Sequence, residues 1–294
     1  MLSIIITAYK EPDTIKKAIW AFLAENLKDY EILAIAPDKE TADSIQSIAK
    51  VNKHVKYIKD PGKGKPTALN LAFKKAKGDI LVLTDGDVLI SKGAIKELLK
   101  PLNDKDVGAV SSHPIPTNKK DTMLGFWSHL LTEVGAHKRR LELQQKQTFM
   151  VCSGYLMVIR NNIIKSIPAE SLADDAVISN LIYMRGYQIK YAPNAIVNVK
   201  FPTTFSDWIK QKRRSAGGYN QLPKLLGIKD KMRSFTKESS KISWALSYPK
   251  TIKEFWWTFL LILARLYLWF LIFIDVNIKR KTLKETWVRI ESTK

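Results

Sequence analysis

Short, largely apolar segments alternate with amphipathic ones over the first 112 residues. Segments 2–8, 31–36, 55–59 and 79–84 are brief and rich in Ile, Leu, Val and Ala. Between them, 12–24, 40–50 and 66–76 carry apolar positions at helical spacing. A fourth helix is expected over 91–99, with Ser91 placed to cap it. Segment 107–112 closes the series. Near-continuous apolar strands separated by amphipathic helices predict an α/β fold with a mostly parallel sheet covered on both faces. Ligands of such sheets bind beyond the carboxyl ends of the strands. Those ends are the place to look for chemistry.

The alternation loosens after residue 120. A helical stretch to about 147 precedes a Ser153-Gly154 break and a strand over 155–159. A helix over 176–185 follows, and then two strand-like pieces, 188–192 and 196–199. From 203 the composition shifts. Segment 207–219 mixes Lys and Arg with Trp208 and Tyr219, as an interfacial helix does. Segment 255–274 is a long apolar stretch interrupted only by Arg265. Its length suffices to span a bilayer, and Trp256, Trp257, Tyr267 and Trp269 suit an interfacial belt. The alternative is a helix buried in a homo-oligomer. The resulting division is a catalytic domain over 1–202, a basic amphipathic segment over 203–250, and a membrane helix with a basic tail over 251–294.

Charge sharpens the picture. Against 28 Asp and Glu stand 48 Lys and Arg, a net charge of +20. That excess attracts polyanions: nucleic acid, acidic lipid head groups or phosphorylated substrates. Nucleic-acid binding is disfavoured, because the basic residues are spread along the chain while aromatics gather in the apolar stretch. The single cysteine, Cys152, excludes an internal disulfide and a cysteine-based zinc site. The first residues lack the basic region of a secretory signal, so catalysis is expected on the cytoplasmic side of a cell membrane.

Asp85-Gly86-Asp87 directly follows the apolar segment 79–84. Two carboxylates so close at a buried strand end raise each other's pKa. A hard divalent cation, Mn²⁺ or Mg²⁺, relieves that repulsion and also binds phosphate oxygens. An ordinary Asp-Gly turn is the plainer explanation of the same triplet. Upstream, Gly62-Lys63-Gly64-Lys65 precedes a helix N-terminus, a setting that favours phosphate. It is not a P-loop, since Lys59 stands where the first glycine is required and Pro66 replaces the hydroxyl residue. Asp174-Asp175 lies ahead of a helix; one aspartate is enough to cap it.

In this order, residues 7–11, 65–70, Asp85/Asp87, Gly154, Asp174-Asp175, Gly186-Tyr187 and Gln211/Arg214 resemble the family 2 glycosyltransferases of GT-A fold. The likeness covers roughly residues 1–220 and points to the branch of cellulose, chitin and hyaluronan synthases. The resemblance implies that Thr7, Ala8, Tyr9, Glu11 and Asp38 contact the donor nucleotide and that Lys65 meets its phosphates. It implies further that Asp85 touches ribose and metal, that Asp87 is the main metal ligand, and that Asp175 is the general base. Gln211 and Arg214 match the QxxRW motif that serves the donor diphosphate or the acceptor site.

Two departures stand out. Ser215 replaces the motif's tryptophan, leaving Trp208 or Tyr219 to supply an acceptor platform, and Ala36-Pro37-Asp38 replaces a double aspartate. The expected activity is inverting, metal-dependent transfer from a UDP- or GDP-linked sugar to a membrane lipid or lipid-linked acceptor. One long apolar segment favours a single transfer over processive synthesis. Rival classes are a nucleotidyltransferase and a non-catalytic membrane scaffold.

Overall fold

A computed structural model describes residues 1–228, 242–274 and 290–293. The described chain divides into two compact units. The first comprises Met1–Ile115, Arg140–Ala169 and Asp174–Val199. The second comprises Pro116–Arg139, Glu170–Ala173 and Lys200–Lys294.

The first unit is built on an eight-stranded sheet in the order β3-β2-β1-β4-β7-β6-β8-β5. β1 (Leu2–Thr7), β2 (Tyr30–Ala36), β3 (Val55–Lys59) and β4 (Ile80–Asp85) form its parallel half. β1 lies between β2 and β4, and Ile4, Ile5 and Ile6 are fully buried. That explains their continuous apolar run: a central strand covered on both faces has no solvent side. α1 (Pro12–Leu23), α2 (Lys39–Ala49) and α3 (Lys65–Lys75) connect these strands.

Beyond β4 the pairing reverses. β7 (Leu156–Arg160) runs antiparallel to β4 and to β6 (Val107–Pro116). β5, only Leu89–Ile90, runs antiparallel to β8 (Gln188–Val199). The two strand-like pieces expected over 188–199 are thus one strand that continues through Pro193.

The helix expected from Ser91 begins three residues later. α4 covers Ala94–Leu99 behind Gly93, whose φ of 81° is left-handed. Ser91 is tied elsewhere: its N–H donates to the Ile196 carbonyl and its hydroxyl oxygen accepts from Asn198. Tertiary pairing with β8 outcompetes the cap. α7 covers Asp174–Met184.

In the second unit, α5 (Met123–Thr132) runs into a π-helical turn at Glu133–Lys138; α6 (Arg139–Gln145), next in the chain, belongs to the first unit from Arg140 onward. α8 (Phe205–Leu226) encloses the segment read as basic and amphipathic; 229–241, also within the expected 203–250 segment, lie outside the described residues. α9 (Ile242–Leu246) is a short helix. α10 (Ile252–Phe273) contains almost all of the long apolar stretch. Residues 275–289, most of the expected basic tail, are not among those described. Phe126, Trp127 and Leu130 of α5 form one apolar cluster with Trp208 and Ile209 of α8 and Leu261, Ala264, Leu268 and Ile272 of α10. The Trp127 indole N–H donates to the Trp257 carbonyl at 2.7 Å.

Candidate active site

The parallel half of the sheet aligns the ends of β1 and β4 so that Thr7 pairs in register with Asp85. The Thr7 hydroxyl donates to Asp85 Oδ1 at 3.1 Å, and the Gly86 N–H donates to the Thr7 carbonyl at 2.8 Å. Gly86 is required by closeness. A Cβ there would lie 2.7 Å from the Ala8 Cβ and 2.8 Å from Glu11 Oε2. The glycine between Asp85 and Asp87 therefore lets the β4 turn press against the β1 turn.

On the other side of β1, the Ala8 N–H donates to the Ile35 carbonyl at 2.9 Å. Tyr9 is 42% exposed, and Lys10 takes a left-handed φ of 54°. Asp38 caps α2 and at the same time clasps the β1 loop. It accepts from the Lys10 N–H at 2.8 Å, the Thr41 N–H at 3.0 Å and the Thr41 hydroxyl at 2.7 Å. The Glu11 N–H donates to Thr41 Oγ1 at 2.9 Å. Burial by itself would raise the Asp38 pKa, but these donors outweigh it and hold the carboxyl below its ordinary value. Thr7, Ala8, Tyr9, Glu11 and Asp38 thus line one joint between β1 and β2.

The loop before α3 completes the joint. Gly62 and Gly64 have φ of 73° and 97°, which glycine adopts without strain. Gly64 caps α3 and makes Lys65 its first residue. The Lys65 ammonium lies 2.8 Å from Asp85 Oδ1 and 3.0 Å from Asp174 Oδ2. Burial opposes its charge, yet the two carboxylates more than compensate and raise its pKa. Lys65 thereby joins the end of β4 to the first turn of α7. The sequence reading missed this role for Asp174, and a Lys in the first turn of a helix offers no signal of its partner.

Asp175 follows on α7. Its Oδ1 accepts from the Ala176 N–H at 2.8 Å. Burial, and after it the negative charge of Asp174, push its pKa up to about 6; Lys65 and Arg140 pull the other way. Gly154 keeps that carboxyl clear, since a Cβ there would stand 3.1 Å from Asp175 Oδ2. Asp85, Asp174 and Asp175 therefore converge around one ammonium, with Asp87 two residues along the chain. Hard carboxylate oxygens in excess over the local positive charge suit Mg²⁺ or Mn²⁺. By donor chemistry the residues fit such an ion.

Gln211 and Arg214 belong to the second unit, on α8. The same helix fixes the chain just ahead of Asp174. Gln221 accepts from the Leu172 N–H at 3.1 Å and donates to the Glu170 carbonyl at 2.8 Å. Gly218 lets that segment approach, because a Cβ there would fall 2.8 Å from the Ala173 Cβ. Neither residue was singled out from sequence. Trp208 is not available as an acceptor platform: it is 4% exposed and packs on Trp127 and Phe205, with ring centroids 5.3 and 6.0 Å away.

A parallel strand sheet extended by antiparallel strands, with aspartates converging at the carboxyl end of β4, defines a GT-A-like class of protein. The chain belongs to the family described as glycosyltransferase like family 2, whose model matches residues 1–218. It is similar to a poly-beta-1,6-N-acetyl-D-glucosamine synthase of Staphylococcus aureus, with 25% identity over 75% of this chain and 55% of that protein. It is likewise similar to the probable glycosyltransferase YdaM of Bacillus subtilis, at 28% identity over 74% of this chain and 54% of the other. The chain spans about half the length of these curated relatives.

Among solved structures, the mannosyltransferase PcManGT from Pyrobaculum calidifontis, in complex with GDP-Man and Mn²⁺, shares the fold. The TM-score is 0.62 at 18% identity, covering 97% of this chain and 82% of that one. Staphylococcus aureus TarS 1-349 aligns with a TM-score of 0.52 at 14% identity, over 95% of this chain and 81% of its own.

Proposed function

We propose that this glycosyltransferase moves a sugar, with inversion, from a UDP- or GDP-linked donor to a membrane lipid or lipid-linked acceptor, using Mn²⁺ or Mg²⁺. The observation that carries the reading is the convergence of Asp85, Asp174 and half-buried Asp175 on Lys65 at the end of β4. The catalytic residues and those of the nucleotide joint fall within 1–202. Thr7, Ala8, Tyr9, Glu11 and Asp38 hold the nucleotide, and Lys65 turns toward the diphosphate. Asp85 and Asp87 hold the divalent cation, which supplies positive charge where the diphosphate departs.

Asp175 takes the proton of the attacking acceptor hydroxyl. With its pKa raised to about 6, it is still ionised at neutral pH and more basic than an ordinary aspartate. Gln211 and Arg214 of α8 serve the donor diphosphate or the acceptor. Catalysis is placed on the cytoplasmic side of a cell membrane.

The test is a thermal-shift screen of UDP- and GDP-sugars with and without Mn²⁺, since a ligand of the folded state raises the melting temperature. Stabilisation by one sugar nucleotide, dependent on the metal and lost in Asp87→Ala, supports the proposal. Turnover undiminished in excess EDTA overturns the metal assignment, and release of pyrophosphate instead of nucleoside diphosphate makes the protein a nucleotidyltransferase.

A second reading, part of a processive polysaccharide synthase, is favoured by the similarity to the Staphylococcus aureus synthase. Chain length of the product decides between them.

A further inference from the structure

We propose that α10 does not cross the membrane but lies flat on it, sinking its outer face into an anionic lipid surface. This rests on the membrane reading above and adds how the contact is made. Thr258, Leu261, Ala264, Leu268 and Ile272 are buried, whereas Trp256, Phe259, Leu263, Leu266, Phe270 and Phe273 are each 45–58% exposed. At 100° per residue the two sets fall on opposite sides of the helix. Leu261, Ala264, Leu268 and Ile272 of the inner stripe belong to the cluster shared with α5 and α8.

That packing decides against a span. The inner stripe runs from Thr258 to Ile272, through the middle and the end of a helix of 22 residues. Carrying α10 into hydrocarbon with its contacts intact would take α8 along, including Lys210, Lys212, Arg213 and Arg214 between the packed residues Trp208 and Ala216. Charged side chains at membrane depth are strongly disfavoured. Lying flat removes the conflict, because only the aromatic face enters, to roughly 5–10 Å. Arg265 falls on the inner side by its helical position and is half-buried there, so it too stays out of lipid.

Charge selects the partner. The second unit has 24 Lys and Arg against 10 Asp and Glu, and so holds +14 of the chain's +20. Lys250 and Lys253 stand exposed at the start of the helix. An apolar, largely aromatic face with exposed lysines at one end, on a unit of strong positive charge, fits acidic lipid head groups over a neutral apolar partner or a second equally basic copy.

The full chain, added to vesicles of phosphatidylcholine with about one third phosphatidylglycerol, is expected to bind at least about tenfold better than to phosphatidylcholine alone. The triple variant Trp256→Ser, Phe259→Ser, Phe270→Ser should lose that binding while keeping its thermal shift with sugar nucleotide. Spin labels on single cysteines at 256, 259, 263, 266 and 270 then report depth; native Cys152 is fully buried. A uniform shallow depth supports the flat helix. A maximum at mid-helix shows a span, and absence of lipid contact with self-association shows a second copy; either overturns the proposal. Loss of donor response with lipid binding intact instead strikes the sugar-transfer reading alone.

Discussion

At Asp175 two roles, helix cap and the proposed general base, ask for opposite surroundings. A group that merely caps a helix gains from being ionised in contact with water and the helix dipole. Asp175 is held where burial disfavours its charge and lifts its pKa to about 6. A folded-state pKa above the ordinary aspartate value means that its ionisation opposes folding at neutral pH. That opposition fades as pH falls through about 6. Asp175→Asn is therefore expected to lower kcat by about a hundredfold or more without lowering the melting temperature at pH 7. In the wild type the rate should fall below about pH 6 as the base becomes protonated, a limb read from the pH profile of kcat.

Lys65 makes the complementary case. Lys65→Met leaves Asp85 and Asp174 facing each other without the ammonium between them. The expected outcome is a lower melting temperature in the free protein, together with loss of the stabilisation given by sugar nucleotide, both read in one thermal-shift experiment.

At the scale of elements, the sheet is stitched at its base by one carboxylate. Glu31 on β2 is 2% exposed. It accepts from Ser3 Oγ and the Lys77 N–H at 2.8 Å and from the Lys56 ammonium at 2.9 Å, so it links β1, β3 and the entry to β4. Burial works to raise its pKa, but these three donors prevail and hold it below the ordinary glutamate value. A depressed pKa gives stability present above the unfolded value and lost as pH falls through the folded one. Glu31→Ala is expected to cost about 2–3 kcal/mol at pH 7, with the difference from wild type narrowing below roughly pH 4. Chemical denaturation at both pH values checks it.

α8 offers a second element-level case. Gly218→Leu drives a side chain into Ala173 and displaces the segment before Asp174. Turnover should fall relative to wild type, read in a sugar-transfer assay with the donor that gives the thermal shift.

Across the whole molecule, charge is partitioned by task. The first unit holds 24 Lys and Arg against 18 Asp and Glu, and its acidic residues include Asp85, Asp174 and Asp175 around Lys65. The second holds most of the excess positive charge. Salt should therefore act unequally on the two: raising ionic strength to several hundred millimolar is expected to weaken binding to anionic vesicles more than binding of the sugar nucleotide, because exposed charges are screened more than partly buried ones. Vesicle sedimentation and thermal shift across a salt series give the comparison.

The alternation of apolar runs and amphipathic helices by itself settled β1 to β4 and α1 to α3 within a residue or two, because a strand covered on both faces has no freedom to be polar. It also placed Asp85 and Asp175 at element ends, since capping and turn residues announce themselves locally. Tertiary structure alone decided the rest. The antiparallel return of β7, the union of 188–199 into one strand and the loss of Ser91 as a cap depend on partners far along the chain. So do the Lys65–Asp174 bridge, the grip of Gln221 and the burial of Trp208. The apolar stretch 255–274 reads the same whether it spans a bilayer or packs one face on protein; only the neighbours it acquires on folding separate its two sides.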